Sequence, residues 1–168
     1  MKKTLFILLV LFLYKANVAT AQNEKFKALF MYNFTKYLEW PEGDRQGDFV
    51  ITVLGDSKIV DELKIIAQKK KVGFQTIVVK QVQNPDQITK SHMLYIAENK
   101  SNQINTVKAR LATSSTVIIA DEANAISKGA GINYIVQGGK PLFEISKSNL
   151  EEHNVKVGAD LLSLGIQK

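Results

Sequence analysis

The chain has no cysteine, and that single absence removes disulfides, thiolate metal sites and cysteine nucleophiles together. An oxidising compartment permits disulfides but does not demand them in a domain of this size. Histidine is almost as scarce. The two present, His92 and His153, are too far apart in sequence for a helical i, i+4 ligand pair; one opens an apolar strand and the other sits at a polar helix end, so both read as structural or solvated. Nor is there an apolar run of eighteen residues, the length a membrane-spanning helix needs. The Gly-x-Ser-x-Gly frame of a nucleophile elbow is missing, and "GAG" at 129–131 lacks the third glycine of a dinucleotide fingerprint and precedes a strand. Without a catalytic grouping, a metal set or a cofactor motif, the chain reads as a non-enzyme that needs no cofactor.

What stands at the start is a targeting signal. Lys2 and Lys3 precede ten apolar residues, Leu5 to Tyr14, and Ala19-Thr20-Ala21 offers a small-x-small cleavage site. Ten helical residues span roughly 15 Å, half of a hydrocarbon core of about 30 Å, so this is a signal peptide over residues 1–21 and not an anchor. The expected mature protein is residues 22–168, exported and without a transmembrane segment of its own. Losing Lys2, Lys3 and Lys15 lowers the formal charge from +6 to +3. That excess is dispersed, with Lys69-Lys70-Lys71 as its densest run, and together with export it argues against a nucleic-acid partner.

Residues 22–168 contain no repeat, linker or low-complexity tract, which points to one domain. A helix is expected over 24–39, stopped by Pro41. Apolar strands at 49–55, 74–80, 92–98 and 115–121 alternate with helical segments at 58–68 and 103–112, a pattern that predicts a mainly parallel sheet flanked by helices. "GINYIVQ-GG-KPLFEIS" then reads as a C-terminal antiparallel hairpin closing one side of the sheet, turned by Gly138-Gly139. The fold class is therefore α/β, a single compact domain.

Two places could carry binding. "VLGDS", "YIAEN" and "IIADE" put Asp56, Glu98 and Asp121 at the carboxyl ends of parallel strands, where open α/β sheets take ligands and where acids also cap the helices that follow. Glu144 in "LFEIS" alternates with Phe143 and Ile145, and such a residue usually faces solvent. The other place is "FKALFMYNFTKYLEWPEG", residues 26–43. It holds six of the eleven aromatic residues found from residue 22 onward. Projected on a helix, its apolar stripe is too wide for one ordinary buried face and encloses Asn33, whose amide needs a partner. Phe26, Phe30 and Tyr37 are expected in the core, while Glu39, Trp40 and the turn after them are the expected functional surface.

"KALFMYNFTKYLEWP" resembles the opening signature of the YfiR-like family. The similarity continues through "VITVLGDSKIVDEL", "HMLYIAE" with "STVIIADE", "GINYIVQGGKPLFEIS" and the leucine-rich "ADLLSLG", covering essentially all of residues 22–168. The resemblance implies a compact α/β periplasmic regulator. Its best-known relative is a repressor that binds the sensor part of an inner-membrane diguanylate cyclase and thereby restrains cyclic-di-GMP synthesis and biofilm formation. It also implies homodimers, and, because the family is broad, another membrane sensor such as a histidine kinase as partner. Two departures stand out: relatives often carry redox-active cysteine pairs, absent here, and Ser146 replaces an asparagine. A small-ligand module using the strand ends is the alternative reading.

Overall fold

The computed structural model describes residues 23–168; the expected signal segment lies outside them. Helix α1 covers 23–34, β1 is Leu38–Glu39, β2 Phe49–Leu54, α2 Ile59–Lys69, β3 Lys71–Val72 and β4 Gln75–Val82. There follow β5 Met93–Ile96, α3 Ile104–Arg110, β6 Val117–Ala120, β7 Ile132–Gln137 and β8 Lys140–Ile145. The chain ends with α4 Lys147–Glu152, β9 Lys156–Val157, α5 Ala159–Leu164 and β10 Ile166–Gln167.

Among the described residues eight strands form one sheet in the order β10-β8-β7-β6-β5-β2-β4-β3. The runs from β4 to β7 pair in parallel, as the unbroken apolar strands predict. β7 and β8 pair antiparallel across Gly138 and Gly139, whose φ values of 59° and 75° are those a tight hairpin requires and a side chain resists. The hairpin does not end the sheet, however. β10 adds beyond β8, with Ile166 beside Glu144, and it fits because a Cβ on Gly165 would come within 2.5 Å of Phe143.

Both faces are covered. On one, Ala28, Met31 and Phe34 of α1 and Ile59, Val60 and Leu63 of α2 pack on Phe49, Ile51, Met93, Tyr95 and Ile119. On the other, Ile104 and Val107 of α3 pack on Leu54, Leu94, Ile96 and Ile118. The opening helix is shorter than the expected 24–39. After Phe34 the chain makes a turn and extends as β1, which pairs antiparallel with β9 through Leu38–Val157 and Glu39–Lys156.

Candidate functional site

Reversal of strand order falls between β2 and β5, so the crevice outside their carboxyl ends is where a ligand would be sought. It is filled from within the chain. Gly55 has φ 96°, and a Cβ there would stand 2.5 Å from Asn99 Oδ1 and 2.6 Å from Lys100 Cγ. The Asp56 amide donates to the same Asn99 Oδ1 at 3.3 Å.

The three strand-end acids are not gathered into a site. Asp56 is exposed and accepts from Gln83 Nε2 at 2.8 Å. Glu98 is exposed at the start of the segment that closes the crevice. Asp121 turns to α1 instead, where it pairs with the ammonium of Lys27. Among the described residues no group of three or more histidines and acids is arranged to hold a metal ion.

Lys27 is the centre of a buried polar cluster that sequence reading missed, because lysine there looked like an interruption of an apolar stripe. Its Nζ also donates to Glu24 Oε1 at 2.8 Å, while Ser57 donates to Glu24 Oε2 at 3.0 Å. Burial alone would lower the Lys27 pKa, but Tyr95 beside it and the carboxylates of Asp121 and Glu24 outweigh it and hold the ammonium above the ordinary lysine value. Burial pushes the Tyr95 hydroxyl far up. The i, i+3 spacing of Glu24 and Lys27, with an acid waiting at a strand end, was the available signal. Tyr134 closes the arrangement by donating to the Lys27 carbonyl at 2.8 Å. The cluster pins α1 to the sheet.

Of the expected surface, Trp40 itself is interior, while Glu39 and the turn residues Glu42 and Gly43 are exposed. Trp40 is 5% exposed, stands edge-on to Phe49 at 5.0 Å between centroids, and donates through Nε1 to the His92 carbonyl at 3.3 Å. Its neighbour Glu39 is exposed and paired with Arg45 at 2.6 Å. His92 lies beneath, with Nδ1 accepting from the Val50 amide at 3.0 Å and Nε2 against the Asp44 carbonyl at 2.7 Å. Burial lowers its pKa below 6.5, the Asp44 carbonyl and charge opposing only in part. Glu144 does not face solvent freely: Asn133, its cross-strand neighbour, donates to it at 3.0 Å, and Lys168 lies 3.2 Å away.

Phe26, expected in the core, is 45% exposed, and Phe30 and Tyr37 are half-buried. Phe30 and Tyr37 pack against the core and also wall an apolar groove of about 310 Å³ between α1, β8 and α5. Phe30, Phe34 and Phe143 make its floor, with Phe34 and Phe143 edge-to-face at 4.9 Å. Leu164 of α5, 63% exposed, forms the rim opposite Asn33 and Tyr37. A shallower depression beside Phe26 and Val136 shares Phe30, Pro141 and Leu142 with it, so one apolar surface runs from Phe26 to Leu164. Asn33 finds its partner at the rim, where Lys36 donates to its Oδ1 at 2.8 Å.

The result is a layered α/β domain with its strand-end crevice closed and an apolar groove open at the opposite side of α1. The chain belongs to the YfiR/HmsC-like family, whose model matches residues 24–166. That family is periplasmic and regulatory, and no helix among the described residues is long and apolar enough to cross a membrane. No curated protein matches the chain.

Proposed function

We propose that this protein is a non-enzymatic periplasmic repressor that binds the periplasmic part of an inner-membrane signalling protein, a diguanylate cyclase or a related sensor such as a histidine kinase. The observation that carries the proposal is the groove between α1, β8 and α5. Exposed Leu164 (63%) rims it, and exposed Phe26 and Val136 (45% and 67%) line the depression that adjoins it, so apolar side chains stand open along one surface. Covering the part of one such side chain that is still open is worth about 1 kcal/mol, so an apolar helix or strand of the sensor that covers several of them gains enough to be held. Repression follows if the sensor offers that segment only in its off-state: the repressor then shifts the population towards it. Reduced cyclic-di-GMP and biofilm formation would be the output where the partner is a cyclase.

The test is capture from solubilised membranes with mature protein, followed by identification of what is retained. Leu164→Asp and Val136→Asp place charges on this apolar surface without entering the core. The expected result is recovery of an inner-membrane protein with a cytoplasmic signalling domain, lost with both variants while their melting temperatures stay at the native value. Recovery unchanged by both variants, or no such protein recovered, overturns the reading.

A further inference from the structure

The strongest exposed aromatic lies far from the groove. Phe74 is fully exposed, at 101%, on the two-residue turn Gly73-Phe74 that joins β3 to β4. Gly73, at φ 57°, lets the turn close so tightly that Phe74 projects at its tip. Lys69, Lys70 and Lys71 precede it, all exposed. One turn before Lys69 on the same side of α2, Ile65 is 46% exposed. Glu39, which lines a depression together with Gly73 and Phe74, is paired with Arg45 at 2.6 Å.

An aromatic at an exposed turn is normally an aggregation hazard that evolution trims or covers. Here it is bracketed by three cations, a combination with a specific complement: a surface that is anionic on the outside and apolar a few ångströms below. We propose that the β3–β4 hairpin tip docks on the anionic lipid surface of a membrane, Phe74 inserting at the headgroup–acyl boundary and Lys69, Lys70 and Lys71 resting on lipid phosphates. Lysines of this kind act at the surface and are screened by salt, while the aromatic contributes a salt-independent hold. Two weak contacts of different character give reversible attachment, not anchoring. The tip and the apolar groove occupy opposite edges of the sheet, β3 at one end and β8–β10 at the other, so lipid contact leaves the groove free.

Flotation of the mature protein with vesicles tests this. Vesicles of phosphatidylcholine alone are compared with vesicles of phosphatidylcholine and phosphatidylglycerol. The protein is expected to float with the second and not the first, and to be released at roughly 0.5 M salt. Phe74→Ser should weaken binding by about ten-fold, and the combined Lys69→Gln, Lys70→Gln, Lys71→Gln variant should abolish it. Leu164→Asp should float as the native protein does. All altered side chains are exposed, so the variants keep the fold, which their melting curves check. Failure to float with anionic vesicles overturns the proposal, as does flotation unaffected by both tip variants. Flotation that depends on tip residues only when membrane proteins are reconstituted also overturns it, and assigns the tip to a protein partner.

Discussion

Lys27 on the first helix and Asp121 beyond the fourth parallel strand form an ion pair whose lysine side chain is 9% exposed, with Glu24 as the second carboxylate on the same ammonium. Removing the cation leaves Glu24 buried and uncompensated. Lys27→Met should therefore cost about 3 kcal/mol in urea unfolding, and Glu24→Gln added to it should recover part of that loss. Independent, additive effects would show that the two charges do not act as a unit.

His92 makes the fold sensitive to mild acid. Its Nδ1 faces the Val50 amide, so the added proton of an imidazolium has no acceptor there, and the folded-state pKa lies below 6.5. The unfolded chain binds that proton first; the contribution of the neutral imidazole is complete above 6.5 and is lost as pH falls through the lowered value. Asp44, whose pKa is also lowered, adds a loss at more acidic pH: burial raises it, but the hydrogen bonds from Lys90 and Ser115 prevail. Unfolding free energy should decline as pH drops below about 6.5. His92→Gln should be less stable at neutral pH by about 1–2 kcal/mol, with the gap to the native protein narrowing on acidification. A constant gap would contradict the assignment.

Trp40→Ala empties space between Phe49 and His92 and should destabilise the protein by about 3–5 kcal/mol, measured by denaturant unfolding. It is a core probe. A variant of the exposed rim, such as Leu164→Asp, should stay within about 0.5 kcal/mol of the native protein.

Gly55→Ala should cost about 1–3 kcal/mol, because its positive φ and the contact with Asn99 Oδ1 both oppose a Cβ. Asn99→Ala in the same chain should relieve that contact but neither the one with Lys100 Cγ nor the backbone strain, leaving a smaller deficit in melting temperature.

The strands and the Gly138-Gly139 hairpin were legible because each is a local pattern: continuous apolar runs for buried parallel strands, and paired glycines for a turn. The surplus of aromatics in residues 26–40 includes Phe30, Phe34 and Tyr37, which line the groove. Of its members Phe26 and Trp40 are exchanged, the first 45% and the second 5% exposed, whereas Phe30 and Tyr37 pack against the core and Glu39 is exposed; the helix itself stops at Phe34. Beyond that point the direction of Trp40 is set by β1 pairing with β9, a contact between distant parts of the chain that no local period encodes. Phe26 lies on a true helix, but its neighbour is the hairpin at Val136 and Pro141, which leaves it half open. Lys27 was hidden for the opposite reason: composition treats a lysine as surface unless its partners are seen. Phe74 was expected to open the strand at 74–80, but β4 begins at Gln75 and Phe74 stands in the turn before it.

The two-residue ladder between β1 and β9, extended by the Gly158 amide donating to the Tyr37 carbonyl at 2.8 Å, works as a clasp. It ties the exit of α1 to the entry of α5, the two jaws of the groove. The aperture is thus preset before any visitor arrives, so a guest finds its berth without the host having to be reshaped. The clasp joins distant stretches of chain, which makes it one of the slower pairings to form.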